Sequence, residues 1–432
     1  MSRMARYPSG LRLVSLALLL SLTATGCWSA HDPRDLTLAA SFGVDTAEAG
    51  NLLLAVELVN PRVAGGTLGG AGEPRNPTRV LYSVAQSVFL AQRDLDQNIG
   101  KAIFPAEASV ALVGRKLAEA GATPMLDYLT REHQLRRTIS LVLADGDVPQ
   151  ILATPTIRDT ASAEIDGLLQ NGRVTGYTSG VSVNMFLADL SLPGKEPFLP
   201  VVSLVELPQA ESAAKTPSAP GAGAGSSSQT RGTQQGSAQQ TQQKPKVMSM
   251  NTVACFKHDK LVGILTPSET RGLLFLQNSV ITTLVSVPAP PGGGYTVVEV
   301  TRSRSSIKPR ISPDGSVSYE IKLEVSAEVA DVPSLAETVG PLARVRELEQ
   351  QVASAIEGEV SACITRMQKD FDTDCVGFGL MIYRMKPALW SQLANQWDDV
   401  FRNVPYSVAA QVRIRSTGTI GTGIEPRREI PR

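Results

Sequence analysis

The cysteine at position 27 is the residue whose surroundings most directly indicate chemistry. It follows the small residues Ala24 to Gly26, and an apolar stretch from Leu11 to Leu22 precedes them behind a start that carries arginines. A charged start, a short apolar core and small residues before the cut are typical of a secretory signal peptide. A cysteine directly after them resembles a bacterial lipobox. The sequence therefore predicts that residues 1–26 are removed and that the Cys27 sulfur carries diacylglycerol.

Such an anchor would hold the chain on a membrane from outside. Each buried methylene contributes about 0.8 kcal/mol, so two acyl chains bind stably where one binds only marginally. The apolar stretch is shorter than the ~18 residues that a spanning helix needs. The alternative is an ordinary signal peptide followed by an unmodified cysteine, since lipoboxes usually have leucine where this chain has Ala24. We expect the mature chain to lie outside the cytoplasm.

The other residues that commonly take part in catalysis or metal binding are few and scattered. The three histidines do not lie at metal-ligand spacing from one another or from a cysteine. The window around Ser182 lacks the second glycine of a hydrolase elbow. Cys255 and Cys363 are expected to be small buried core residues, and a Cys363–Cys375 disulfide is left open. The sequence thus predicts no catalytic residues, no metal site and no cofactor.

Charge and composition exclude one class of partner. Lysine plus arginine (41) equals aspartate plus glutamate (41), so the formal net charge of the 432 residues is +0. A nucleic-acid partner normally requires a basic excess or stripe, and we therefore expect no nucleic acid. Hydrophobic residues make up 42% of the chain, which is enough for real cores in two or three domains of ordinary size.

Composition divides the chain into three sections. The first runs from Trp28 to Leu207 and the third from Val247 to Gly423. Between them, residues 208–246 are rich in Ala, Gly, Ser, Thr and Gln and contain almost no large apolar side chain. Such a segment cannot bury enough surface to order itself. We therefore expect an N-terminal domain and a C-terminal region joined by a disordered linker.

Hydrophobic periodicity predicts both strands and helices in the first section. Residues 51–59, 108–113 and 139–143 are apolar runs of strand length. Residues 81–95 carry a helical stripe, and residues 115–136 favour two short helices. Alternation of short strands and helices is typical of an α/β or α+β domain.

The third section has clearer patterns. Apolar and polar residues alternate from Val317 to Val329, which predicts a long strand with one wet face. An apolar stripe from Val345 to Met367 predicts a long helix, and Asp374 to Ile382 is predicted to be a strand. A helix over 387–401 and a strand over 408–414 follow. Together the sections predict an α+β (mixed α/β), multi-domain fold with helices packed on sheets.

A capping-box motif lies in the third section. The Thr266 hydroxyl would accept from the backbone of Glu269, whose carboxylate would reach back to Thr266. One interpretation is a helix start that packs the leucines after Gly272. The other is that Glu269 and Arg271 contact another subunit.

Short motifs in order along the chain resemble one known family. They are Gly26-Cys27-Trp28, Asp35-Leu36, Phe42-Gly43-Val44-Asp45, Val59-Asn60-Pro61, Tyr128-Leu129 with Arg131 and Arg136, Phe256-Lys257, Asp259-Lys260-Leu261-Val262-Gly263, Glu269-Thr270-Arg271-Gly272, Ile307-Lys308-Pro309, Gly377-Phe378-Gly379, Trp397 and Val412-Arg413-Ile414-Arg415 to Gly418. This ordered set resembles the Ger(x)C family of spore germination lipoproteins. The resemblance covers nearly the whole mature chain, and the low-complexity section looks like an insertion.

The resemblance implies the lipoprotein C subunit of a nutrient germinant receptor. Such a subunit would lie on the outer face of the spore's inner membrane and contact the integral membrane A and B subunits. It implies several mixed α/β domains, with the C-terminal region dividing in two near residues 288–294. The resemblance implies no catalytic residues for this chain. The lipidated cysteine is the one functional residue of the family that it assigns here, as Cys27.

An extracellular solute-binding lipoprotein that captures a small nutrient is the alternative function. It would share the anchor but would need a deep interdomain cleft with convergent polar groups. An envelope hydrolase is a third hypothesis, and the sequence offers no nucleophile–base pair for it.

Overall fold

A computed structural model describes residues 35–59, 78–206, 246–288, 294–331 and 342–416, along with Gly10 and Val14. Apart from Gly10 and Val14, the predicted signal peptide lies outside the described residues, and so do the lipidation site Cys27 and residues 208–245 of the linker. Lys246, which the composition places at the end of the linker, belongs to a strand because it pairs with Glu206.

Strands and helices alternate along the described chain. The strands are β1 (Leu36–Thr46), β2 (Leu52–Val59), β3 (Thr78–Ala85), β4 (Ala102–Phe104), β5 (Val110–Gly114), β6 (Ser140–Asp145), β7 (Phe198–Glu206), β8 (Lys246–Lys257), β9 (Lys260–Ile264), β10 (Thr283–Pro288), β11 (Tyr295–Ile311), β12 (Val317–Asp331) and β13 (Tyr406–Ser416). The helices are α1 (Val88–Ile99), α2 (Arg115–Ala120), α3 (Thr123–Arg131), α4 (Val148–Ala153), α5 (Ala161–Thr175), α6 (Val183–Ser191), α7 (Pro267–Leu276), α8 (Leu342–Arg366), α9 (Phe378–Met385), α10 (Pro387–Leu393) and α11 (Trp397–Asn403). Short 3₁₀ turns and a π-helical turn, Met367–Phe371, complete them. The mixed α/β prediction is confirmed.

The first sheet has nine strands in the order β3-β2-β1-β5-β6-β7-β8-β9, and β4 pairs with β1. Its centre, from β1 through β5 and β6 to β7, is parallel, and antiparallel pairs flank it on both sides. Helices α4 and α5 cover one face over a core that includes Val110, Val142 and Ile165. Because parallel strands are buried on both faces, their sequences are continuous apolar runs rather than alternating ones.

The first sheet crosses the low-complexity section. β7 ends at Glu206 and β8 begins at Lys246, and the two pair antiparallel from Phe198 opposite Cys255 to Glu206 opposite Lys246. β9 then forms a hairpin with β8. Strands from both sides of residues 208–245 therefore share one sheet. The division into an N-terminal and a C-terminal domain stays a prediction.

The second sheet has four strands in the order β10-β11-β12-β13, with only the β12–β13 pair parallel. Apolar residues of β12 from Val317 to Val329 face a core beneath the long helix α8. The intervening polar residues face away from it. This confirms the alternating strand and the long amphipathic helix.

Two sequence predictions were wrong in detail. Asp374 to Ile382 is not a strand but a loop followed by α9, whose Phe378, Leu380 and Ile382 are buried. A short apolar run has the same appearance in a buried strand and in a buried helix. The helical stripe over 81–95 is a strand followed by a helix, because Ser87 caps α1 by accepting from the Leu90 amide at 3.3 Å.

Candidate functional site

The start of α7 is fixed by the predicted capping box. The Thr266 hydroxyl accepts from the Glu269 amide at 3.3 Å, and the Glu269 carboxylate accepts from the Thr266 amide at 2.8 Å. Pro267 occupies the first turn, where its missing N–H costs nothing. Behind the cap, the apolar run from Leu273 to Leu276 is buried. This confirms the helix-start interpretation of the motif.

Arg271 connects α7 to two other elements. Its guanidinium donates from Nε to Glu359 Oε2 of α8 at 2.7 Å and from Nη2 to the other oxygen of the same carboxylate. Its Nη1 donates to the Leu284 carbonyl of β10 at 3.1 Å. The two side chains are only 15% and 14% exposed. The hydrogen bond to Glu359 raises the pKa of Arg271, so the guanidinium keeps its charge in this largely buried ion pair.

Gly272 explains why α7 approaches α8 so closely. A Cβ added there would lie 2.4 Å from the Glu359 carbonyl oxygen and 3.0 Å from the Cys363 Cβ. The absence of a side chain therefore brings the backbone of α7 against α8 and lets Arg271 reach Glu359. The motif Arg271-Gly272 works as a unit: one residue supplies the charge and the next supplies the space.

The predicted contact residues Glu269 and Arg271 thus both have partners within the chain. Glu269 closes the cap and Arg271 joins three elements. The neighbouring Pro267 and Ser268 are exposed at the surface. A role of Glu269 and Arg271 in contacting another subunit stays a prediction.

A second cluster surrounds the buried carboxylate of Asp374, which sequence reasoning missed. Oδ1 accepts from the amides of Gly377 at 2.8 Å and Phe378 at 3.0 Å, while Oδ2 accepts from the Gly379 amide at 2.9 Å and the Trp397 indole at 3.2 Å. Burial raises the pKa of Asp374 to about 6, and these four donors oppose the rise. The available signal was an aspartate placed before Gly377-Phe378-Gly379, a short acceptor ahead of a helix start.

This loop joins the two sheets. The Phe378 ring stacks on Tyr319 of β12 with centroids 4.1 Å apart, and the Phe378 carbonyl accepts from the Tyr319 hydroxyl at 2.6 Å. On the other side, the Leu380 amide donates to the carbonyl of Gly194, which lies just before β7, at 2.8 Å. A Cβ on Gly194 would lie 2.6 Å from the Gly379 carbonyl carbon, so this crossing requires two glycines.

A cavity of about 210 Å³ opens beside Asp374. Glu196 lines it and accepts from the His258 amide at 2.6 Å, with the His258 imidazole 3.4 Å away. Burial raises the pKa of Glu196. Nearby, Lys257 Nζ contacts Asp372 at 2.7 Å and Asp398 at 2.8 Å. The described lining contains no serine, threonine or cysteine. The cavity thus gathers charge without offering a hydroxyl or thiol nucleophile.

Three cysteines are free and fully buried: Cys255, Cys363 and Cys375. A hydrogen bond with Cys375, together with burial, raises the pKa of the Cys255 thiol, and burial raises that of Cys363. This fits the prediction that Cys255 and Cys363 pack as small core residues. The Cys363–Cys375 disulfide is not formed.

Metal sites and membrane-spanning helices can be assessed in the part of the chain that the structure describes. Within it, no three His, Cys, Asp or Glu side chains come close enough together to hold a metal ion. None of its helices combines the length and the apolar character needed to cross a membrane.

Two domain families match this sequence in order. The family described as spore germination protein N-terminal domain matches residues 29–204. The family described as spore germination B3/GerAC like, C-terminal, matches residues 251–418. The two matches lie on either side of the low-complexity section.

Full-length relatives come from Bacillus subtilis (strain 168). Spore germination protein KC is 23% identical over 418 residues, which cover 94% of this chain and 95% of the relative. Spore germination protein B3 is 19% identical over 408 residues, with coverage of 94% and 98%. The crystal structure of the GerBC protein aligns at 16% identity with a TM-score of 0.49, covering 87% of this chain and 96% of that one.

Proposed function

Because this chain belongs to the spore germination family that these two domains define, we propose that it is a lipid-anchored subunit of a spore germinant receptor. The observation that carries the proposal is the ordered match of both domains, over residues 29–204 and 251–418. In this function the chain is needed for nutrient-triggered germination and acts through protein contacts at a membrane, without transforming a substrate.

The proposed anchor is a diacylglycerol thioether on Cys27. The pattern of a charged start, an apolar core and small residues before the cysteine supports it. Two acyl chains supply enough buried methylene groups for stable attachment. The anchor would place the folded part on the outer face of the spore's inner membrane.

The proposed partners are the integral membrane A and B subunits of the receptor. Two features of the described surface could meet them. One is the exposed start of α7 at Pro267 and Ser268, which is held by Glu269 and Arg271. The other is the charged cavity beside Glu196 and Asp398.

Spores that carry Cys27→Ala test the anchor and the function together. We expect loss of palmitate labelling, release of the protein from the membrane fraction and a defective nutrient response. Ser29→Ala is the matched control, since it changes a neighbouring residue and leaves the thiol. A normal nutrient response from the released Cys27→Ala protein would contradict the proposal, as would an unmodified Cys27 in the mass spectrum of the wild-type amino terminus.

Titration calorimetry separates this function from the alternative of a solute-binding lipoprotein. The receptor-subunit proposal does not require the isolated chain to bind a nutrient. Saturable binding of one amino acid or sugar by the purified chain, with a normal germination response in spores that lack it, would favour nutrient capture instead.

A further inference from the structure

The outer face of the second sheet carries a cluster of arginines on two strands that are not sequence neighbours. Arg302 and Arg304 lie on β11, and Arg413 and Arg415 lie on β13. All four are exposed. Helix α8 packs on the opposite face, so these side chains project away from the core. In a chain with a formal net charge of +0, this cluster is a local concentration of positive charge.

The register of the sheet places a small residue between two of these arginines. Ser326 of β12 is directly opposite Arg302 on one side and Arg413 on the other. Strands lie about 4.8 Å apart, so the two arginine backbones are separated by roughly 10 Å across the serine. The result is a concavity of about 350 Å³ with Ser326 in its lining and arginines on both sides.

Two irregularities in the strand pairing lie at this row. β11 has a bulge between Val300 and Arg302, which makes Thr301 and Arg302 both face outward and sets Arg304 on the same side. The β12–β13 pairing shifts after Ala327, beside Arg415. Without the bulge between Val300 and Arg302, strand alternation would turn the Arg302 side chain toward the core. Bulges often re-aim a side chain next to a functional site.

The four arginines have no hydrogen-bond or ion-pair partner within the described residues. Glu324, opposite Arg304, is the only acidic residue of the described lining. Farther along the same face, Arg310 and Lys322 both pair with Glu320. The sheet thus pairs its cations at one end. Around Ser326, the four arginines share the outward face with Glu324 and, one row farther, with Glu299 and Glu328, so cations outnumber carboxylates there.

We propose that this arginine cluster binds the phosphate headgroups of anionic phospholipids and holds the second sheet against the membrane surface. Guanidinium groups match phosphate oxygens with two parallel donors, and the Ser326 hydroxyl adds one more. Basic side chains are attracted to anionic lipid surfaces. The proposal rests on the membrane location proposed above and adds an orientation. The acyl anchor would keep the folded chain close to the membrane, and the arginine cluster would turn the outer face of the second sheet toward the lipid.

Vesicle binding tests this directly. The full chain carrying Cys27→Ser removes any acyl contribution, and its partitioning is measured on phosphatidylglycerol and phosphatidylcholine vesicles. Each basic residue near such a surface contributes roughly fivefold, so Arg302→Gln with Arg413→Gln should lower binding to phosphatidylglycerol about thirtyfold. The matched control is Arg384→Gln with Lys386→Gln, two exposed cations on and after α9. It should change binding by less than about threefold, because those residues face elsewhere.

The Arg302→Lys, Arg413→Lys pair preserves charge but not the two-pronged donor, and it should bind at an intermediate level. Equal losses in the cluster and control variants, or full retention by the lysine pair, would overturn the headgroup site in favour of general charge attraction. Complete competition by millimolar inorganic phosphate would overturn the lipid as ligand in favour of a free oxyanion. Neither the anchor nor germination enters this assay, so its failure leaves the proposed function untouched.

Discussion

The Arg271 guanidinium and the Glu359 carboxylate form a two-pronged ion pair where α7 crosses α8. The residues are 88 positions apart in sequence, and both side chains are largely withdrawn from water. Arg271 also donates to the Leu284 carbonyl of β10. This one side chain therefore ties a short helix, a long helix and a strand together.

Replacing Arg271 with alanine should lower the free energy of unfolding by about 3 kcal/mol, because Glu359 would remain buried without its partner. Chemical denaturation of the purified chain measures this. Arg93→Ala is the matched control: its pair with Asp96 spans 3.9 Å and its side chain is 76% exposed. That change should cost less than about 1 kcal/mol. A similar loss of unfolding free energy in both variants would contradict a buried ion pair at Arg271.

Gly272→Ala should destabilise the protein by about 1–3 kcal/mol, since the new methyl group would meet the Glu359 carbonyl oxygen at 2.4 Å. Gly358→Ala on α8 is the comparison, because a Cβ there meets no atom within 4 Å. Alanine is the better helix former, so the second variant should gain about 0.5–1 kcal/mol. Opposite signs in thermal or denaturant unfolding are the expected result, and a tolerated Gly272→Ala would show that α7 can move away from α8.

The Asp374 carboxyl should titrate near pH 6 in the folded protein, where burial raises its pKa to about 6 from the usual 3.8. A raised folded pKa means that the folded chain holds the proton more tightly than the unfolded chain. The resulting stabilisation is fully present below about pH 3.8 and is lost as the pH rises through about 6. It amounts to something on the order of 3 kcal/mol.

Asp374→Asn removes this titration and checks the prediction. Denaturant unfolding at several pH values should show wild-type stability falling, relative to the variant, as the pH rises from 4 to 7. The asparagine should also destabilise the protein at every pH in this range, because its amide would face N–H donors instead of accepting from them. A pH-independent difference between the two proteins would contradict the assigned pKa.

The three buried thiols should resist alkylation in the folded protein. Cys255, Cys363 and Cys375 are fully buried, and the raised pKa values of Cys255 and Cys363 disfavour the reactive thiolate. Mass spectrometry after iodoacetamide treatment should find them unmodified in native protein and modified in guanidinium chloride. Rapid labelling of any of the three under native conditions would show that the core around that cysteine opens.

Local sequence patterns predicted many of the strands and helices. The alternation from Val317 to Val329 predicted β12, and the stripe from Val345 to Met367 predicted α8, because each pattern repeats often enough to distinguish a period of two from one of 3.6. The Thr266–Glu269 cap was also predicted, since a capping box is a contact between near neighbours. The segment at Asp374 was assigned wrongly, because nine residues with little polar character carry no clear period.

The sequence alone determined the strand and helix periods, the helix cap and the ordered motifs that indicate the family. Only the tertiary structure decided that β8 and β9 join the first sheet across the low-complexity section, that Arg271 pairs with Glu359, and that Arg302 and Arg413 flank Ser326. The physical reason is the separation along the chain between the residues that interact. Periodicity reports which face of an element is buried, whereas partners are chosen by hydrogen bonds and charges between residues tens to hundreds of positions apart, and these are formed only when the chain is folded.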